Sequence, residues 1–331
     1  LGSAEEVDLS KGASSFGIIG NPYYIHEYES GTVRDLTESD LQDKQLIYDN
    51  LPNLKFDACN FLYHSERHGK IRTEDNLTSI LLDGFGSASG LLRHWVNTRE
   101  GLETSISFPW ATQDEMRIIS LGQMALKGNS QRTAEHLKRV DETDFVWVNP
   151  ISPLRYHPDQ AGNIVRVARS GKKHRLVMIS PEIMMGASGP VTMAGILVQH
   201  NTEVLAGAVL AQMAGPGTPV IYGNVGAPLD LRSSVVSHGN FETALLNASV
   251  VQMADYYGMP SRITSGNTST RAPGVKSAVE TAIGMFVGAA AGGNVIMTGL
   301  FDATLMISYE HLIVVNELAN QIRSITKGIE T

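Results

Sequence analysis

Seven short apolar runs recur along the chain, each continuous and not alternating, with helix-length stretches between the later ones. They are FDACNFLY around Asp57, LLRHWVN from Leu91, DFVWVNPISP from Asp144, RLVMISPE from Arg175, TPVIYGNVG from Thr218, SRITSGN from Ser261 and NVIMTGLF from Asn294. A strand with one wet face alternates apolar and polar residues, whereas a strand covered on both faces reads as an unbroken apolar run. Covered strands joined by helical crossovers form parallel sheets. The pattern therefore predicts an α/β fold, a TIM-type (β/α)8 barrel, with a doubly wound sheet as the competitor. The eighth strand is not assigned; FGIIGNPYYIH is one candidate. Residues 1–56 read as an N-terminal segment packing on the barrel, and 57–331 as the barrel itself.

Between the later runs, Val191 to Ala214 and Glu242 to Tyr257 carry apolar residues three and four apart and read as helices. Gly215-Pro216-Gly217 and Gly258-Met259-Pro260 read as their stops, with glycine supplying a left-handed end and proline blocking continuation. The stretch between Glu280 and Asp302 has no charge and is nearly long enough to span a bilayer. Gly292-Gly293-Asn294 splits it, so it reads as a small-residue helix followed by a buried strand.

Composition narrows the function. The 331 residues hold 26 Lys and Arg against 34 Asp and Glu, a net charge of −8, which argues against a nucleic-acid partner. A single cysteine, Cys59, excludes a disulfide framework and any multi-cysteine zinc or iron–sulfur site. A cytoplasmic setting fits that count. No secretory leader is read in LGSAEEVDLSKG, and no membrane span is expected.

Chemistry in a parallel barrel gathers where strands end. The runs end in Tyr63 and His64, His94 and Trp95, Asn149 and Ser152, Glu182, Tyr222 and Asn224, Asn267, and Thr298. Each taken alone also fits a turn or cap residue; as a ring they point to a site. Familiar motifs fail on spacing. His64 and His68 bracket Glu66 at the wrong place for a metalloprotease, and no third ligand is evident. Gly84–Gly90 does not match a dinucleotide loop, and Gly186–Pro190 misses a nucleophile elbow by one residue. Glu182 and Glu203 do not form a convincing catalytic carboxylate pair.

Three strings carry a family signature: MISPEIMMGASGPVTMAGILVQHNTEVLAGAVLAQMAGPGTPVIYG, HGNFETALLNASVVQMADYYGMPSRITSGNTS and MISYEHLIVVNEL. Together they resemble the trimethylamine methyltransferase family, clearly from about Asn149 to Gly328 and more loosely upstream. The resemblance implies methyl transfer from a methylated amine to the Co(I) of a corrinoid carried by a partner protein, in methanogenesis-related metabolism. The chain itself would bind no metal and hold no cofactor tightly. The family's named enzyme has pyrrolysine in the strand after YYG-x-P-S, and Asn267 stands at that position here. The resemblance then implies a quaternary amine, with glycine betaine the first choice, because family members lacking pyrrolysine include a glycine betaine methyltransferase. The alternative is a barrel enzyme or binding protein for trimethylamine, proline betaine or carnitine without the same turnover.

A quaternary ammonium offers no hydrogen-bond donor and is recognised by aromatic faces and by charge. Aromatic candidates are Trp95, Phe108, Trp110, Tyr156 and Tyr222. A betaine carboxylate calls for Arg or His donors, and Arg232, His238 and Arg271 lie in strand-end loops. The expected catalytic residues are Asn267 and Glu182, the latter either a structural partner or an anionic wall for the cation. The expected substrate-binding residues are His238, Arg232, Arg271, Tyr222, Asn224, Tyr156 and Trp110. The small-residue helices late in the chain leave room for a homo-oligomer.

Overall fold

The computed structural model describes residues 145–170 and 176–329, except 234 and 303. Upstream it describes 7–8, 14–20, 24–27, 29–35, 53–59, 95–97 and 104–106, with a few single positions. At its centre is a seven-stranded parallel sheet. Its strands in chain order are β1 Ser15–Gly20, β2 Leu54–Cys59, β3 Phe145–Val148, β4 Leu176–Ile179, β5 Val220–Gly223, β6 Ser261–Thr264 and β7 Val295–Met297. The order across the sheet is β2-β1-β7-β6-β5-β4-β3. Each strand lies beside its successor in sequence except β2 and β3, which form the two edges, and β7 pairs in parallel with β1. The helices are α1 Pro158–Arg169, α2 Met193–Ala214, α3 Phe241–Tyr256, α4 Val275–Ala290 and α5 Tyr309–Lys327.

Six of the seven predicted runs contribute strands to this sheet. The exception is LLRHWVN. Its Trp95–Asn97 strand pairs instead with Val7–Asp8 and Thr104–Ile106 in a separate small sheet. The run has Arg93 and His94 at its centre, so its apolar stretch is too short to be covered on both faces. The remaining place is taken by FGIIG, as β1. That strand sits inside the sheet between β7 and β2, although it lies in the segment read as packing on the barrel.

Both faces of the sheet are buried. Phe16, Ile18, Val148, Val177, Ile179, Val220, Tyr222, Ile263 and Ile296 join the helix residues Ile164, Val204, Leu246, Val250 and Leu312 in one core. Alternation sends the intervening residues to the opposite face. There, Trp147, Met178, Ile221, Arg262, Thr264 and Met297 are also buried. The Arg262 guanidinium carbon lies 4.5 Å from the centre of the Trp147 ring, although β6 and β3 are three strands apart. In a flat sheet those strands would be roughly 14 Å apart, so this second face is concave.

Helix starts follow ordinary capping rules. The Thr192 side chain accepts a hydrogen bond from Gly195 N at 3.2 Å, and the Asn240 side chain accepts one from Thr243 N at 2.9 Å. Of the two expected left-handed stops, Gly258 has φ of +67°. In the other, Gly217 has φ of +85°, while Gly215 is extended at −155°. Its glycine is required by crowding, because a β-carbon there would collide with the carbonyl of Ala168. The charge-free stretch resolves into α4 and β7, as its central glycines predict. Among the described residues no helix is long and apolar enough to cross a membrane.

Close packing makes α2 a sensitive element. A methyl group at Gly207 would collide with the Tyr156 hydroxyl and lie 2.7 Å from Ile179 Cδ1. Gly207→Ala is therefore expected to lower stability by about 1–3 kcal/mol through overpacking, outweighing its helix-propensity gain. Urea denaturation of the two proteins checks this. Burial also pushes His200 and His311 down to about 4. The unfolded chain takes up those protons near the ordinary value of 6.5, so each histidine's contribution is intact above that pH and is lost as pH falls toward 4. The slope is about 1.4 kcal/mol per pH unit per proton. Denaturation between pH 7 and 4 should show this fall, and the double variant His200→Gln, His311→Gln should lessen it while buried His238 keeps its share.

Candidate functional site

The chain leaving the C-terminal ends of the strands builds its own cover. After β4, Met184–Met185 pairs in parallel with Ala227–Asp230, which follows β5 and folds back on Val235–Val236. After β1, Tyr24–Glu27 pairs with Met306–Ile307, which follows β7. Between these two flaps lies the exit of β6, Ser265-Gly266-Asn267. It is tied to the exit of β7 by Ser265 N to Met297 O at 2.9 Å and Thr268 N to Leu300 O at 2.8 Å. Gly266 has φ of +106°, and a β-carbon there would strike Met285 and Thr298.

Three ionisable groups dominate this end of the sheet. Arg262, on the concave face, has no exposure. Its Nη1 donates to the Asn224 carbonyl at 2.9 Å and to Thr264 Oγ1 at 3.3 Å, and its Nη2 faces Met297 Sδ. Burial pushes it down to about 9, with Glu182 opposing that shift. Glu182, just past β4, is open to solvent yet surrounded by protein. Its enclosure raises the carboxyl above the ordinary carboxylate range, and the Arg262 charge pulls it back. His238 is buried before α3 and is held down at about 4, first by burial and then by the Arg262 charge. It is therefore neutral at physiological pH.

Several buried polar atoms here have no partner among the described residues. They are Trp147 Nε1, Asn149 Oδ1, Ser180 Oγ, His238 Nδ1, Arg262 Nε and Asn267 Nδ2. Such groups are costly to leave unmade and mark places where a ligand or ordered water completes the structure. A cavity of about 230 Å³ adjoins the site, lined by His238, Phe241, Ala244, Glu280 and Ile283 among others.

The structure divides the sequence-predicted residues into groups. Asn267, Glu182 and His238 gather at the strand ends. Asn267 is buried, and its Oδ1 accepts from Leu300 N at 3.0 Å. Asn224 is also there, but its side chain is consumed by the turn. It donates to Asn247 Oδ1 at 2.9 Å and accepts from Gly226 N at 3.0 Å. Tyr222 points the other way, into the helix layer, where its hydroxyl donates to Asn201 Oδ1 at 2.9 Å. Strand parity sets that direction. Tyr156 donates to the Glu203 carbonyl at 2.6 Å and packs under α2. Arg271 is exposed and pairs with Asp302 at 3.0 Å. Arg232 is exposed in the hairpin after β5, where its backbone N–H donates to Asp230. Trp110 and Phe108 lie outside the described residues; Trp95 lies in the separate small sheet.

Sequence reasoning missed Arg262 and Trp147, and it weighed Glu203 only as a catalytic carboxylate. Arg262 left a signal, a lone charge inside an otherwise buried run. Glu203 left a similar one, the single acid in a long apolar helix. Its carboxylate accepts from Ser152 Oγ at 2.8 Å, Leu154 N at 2.9 Å and Gln199 Nε2 at 2.9 Å. It thereby fixes the loop that follows β3, so its role is to hold backbone at the edge of the site.

Comparison with known proteins follows the same half of the chain. The chain is 34% identical over 183 residues to the glycine betaine methyltransferase of Desulfitobacterium hafniense (strain Y51), covering 55% of this chain and 38% of that protein. It is 33% identical over 181 residues to the trimethylamine methyltransferase MttB of Methanosarcina thermophila, covering 54% and 37%. The matched part thus spans less than two-fifths of these relatives. Residues 123–331 match the family described as trimethylamine methyltransferase (MTTB), and that is the family to which the chain belongs.

Proposed function

We propose that the sheet is a TIM-type (β/α)8 barrel, and that its strand-end mouth holds a quaternary amine while one methyl group passes to the Co(I) of a corrinoid carried by a partner protein. Glycine betaine is the first-choice substrate. The strand order supports the barrel. Every strand but β2 lies beside its successor, and β7 lies beside β1, so a closed barrel would join between β2 and β3. The concave face spanned by Arg262 and Trp147 supports it as well.

The observation that carries the substrate class is Asn267. By the resemblance it stands where the family's named enzyme has pyrrolysine, and in this structure it is a buried neutral amide engaged with a backbone N–H. An amide side chain cannot form a bond to a tertiary amine. A neutral tertiary amine would have to leave as an amide anion, whereas a quaternary ammonium leaves as a neutral amine. As the carbon–nitrogen bond breaks, its electron pair stays on nitrogen, so no proton transfer is required. The corrinoid, when its carrier docks, supplies a soft nucleophile for in-line attack on a methyl carbon. This chain's residues then have to hold the cation, exclude water and aim the methyl group.

Glu182 fits the cation, being accessible, enclosed and carboxylate. Arg262 behind it favours its ionised form. The unpartnered donors Asn267 Nδ2, Arg262 Nε and Trp147 Nε1 fit the carboxylate end of a betaine. Recognition by charge carries this reading, because Tyr222 and Tyr156 belong to the helix layer and Trp147 already stacks on Arg262.

The test is anaerobic. The chain is mixed with reduced cobalamin and methylated amines, a full-length relative runs in parallel, and loss of the Co(I) absorbance is followed. Methylation with glycine betaine and none with trimethylamine is expected. Reaction with trimethylamine alone would contradict the reading, and so would binding of betaine with no transfer while the relative turns over. In the same assay Glu182→Gln should lower kcat/KM for the quaternary amine about 10–100-fold, the size of one lost charge contact of roughly 1.5–3 kcal/mol.

A further inference from the structure

Helices α2, α3 and α4 are neighbours, each packing against the next along one flank of the sheet. Their outward faces are unusual. In an ordinary surface helix that face is charged, and α1 conforms, with Arg166 and Arg169 exposed. On α2 the exposed positions include Val198, Val209 and Met213, at 69%, 56% and 80% exposure. The helix has no Lys, Arg or Asp, and its one acid, Glu203, is buried. The face continues through Leu245 on α3 and through Val279 and Phe286 on α4. These residues recur three or four positions apart, or at multiples of that spacing, so on each helix they form one stripe. A helix that is apolar all round belongs in an interior, yet among the described residues nothing covers this flank.

We infer that a second copy of this chain covers the α2–α4 face, forming a two-fold symmetric dimer. Size is the first argument. Helices of 22, 16 and 16 residues are roughly 33 and 24 Å long and lie about 10 Å apart, so the face measures roughly 800 Å², the amount one partner contributes to a stable complex. Charge is the second. A two-fold contact sets a patch against itself, and a charged patch would repel its copy, whereas this one has no charge along its central stripe. Permanence is the third. Faces that separate after each encounter are about as polar as the general surface, and permanent homodimer faces are more apolar. A partner that delivers a methyl acceptor must come and go, and it must reach the strand ends, so the helical flank is the wrong place for it.

Sedimentation equilibrium of the chain tests this. The wild type should behave as a concentration-dependent dimer. The double variant Val209→Glu, Phe286→Glu places like charges across the two-fold axis and should weaken the dimer by at least ~100-fold, with unchanged circular dichroism. Arg169→Glu on α1, outside the face, should leave the dimer intact. A wild type that is monomeric at every concentration overturns the inference. So does a dimer that survives both glutamates, or one that is broken by the α1 substitution instead.

Discussion

Burial of the Arg262 guanidinium is the constraint around which the concave face is arranged. A cation removed from water is expensive unless its donors and its charge are both answered. The answer here comes from several strands at once: the Asn224 carbonyl past β5, Thr264 on β6, the Met297 sulfur on β7 and the Trp147 ring on β3. That set can converge only because the sheet curves. The same charge reaches outward to the two groups that matter at the mouth. It draws Glu182 toward its ionised form and helps to keep His238 neutral. An acceptor for a cation and a neutral imidazole are thus set by one buried charge.

The turn at Asn224 shows how scaffold and site share residues. Its carbonyl serves Arg262 and Thr264, while its side chain is fixed by Gly226 and by Asn247 of α3. Asn247 in turn donates to the Thr264 carbonyl. A side chain so fully committed cannot also hold substrate, which is why Asn224 belongs to the frame of the site. Glu203 does comparable work for the loop after β3. Both groups are polar, buried and satisfied, in contrast with the unpartnered donors of Asn267 and Trp147.

Much of the fold was legible in the sequence because covered strands leave an unmistakable trace. RLVMI, TPVIYG and NVIM all became strands of the sheet, and the helices between them began within two residues of their expected starts. LLRHWVN misled because apolar content was weighed without the two charged or polar residues inside it. At the site, position along the chain was readable and direction was not. Tyr222 stands at the end of a strand, but whether its ring enters the mouth or the helix layer depends on strand parity, and a short apolar run does not reveal parity. Arg232 and Arg271 were chosen for their loops, and both face solvent. Arg262 was overlooked because a charge inside a strand looks like noise until the fold shows what surrounds it.

The central claim is that charge at the strand-end mouth, and Glu182 above all, selects a cationic nitrogen. Calorimetric titration with glycine betaine and with its carbon isostere 3,3-dimethylbutanoate isolates that term, because the two share shape and carboxylate and differ in the positive charge. The account predicts that betaine binds at least about tenfold more tightly, a difference of roughly 1.4 kcal/mol, and that Glu182→Gln removes the preference. Equal binding of the two ligands, or a preference that survives Glu182→Gln unchanged, would contradict it.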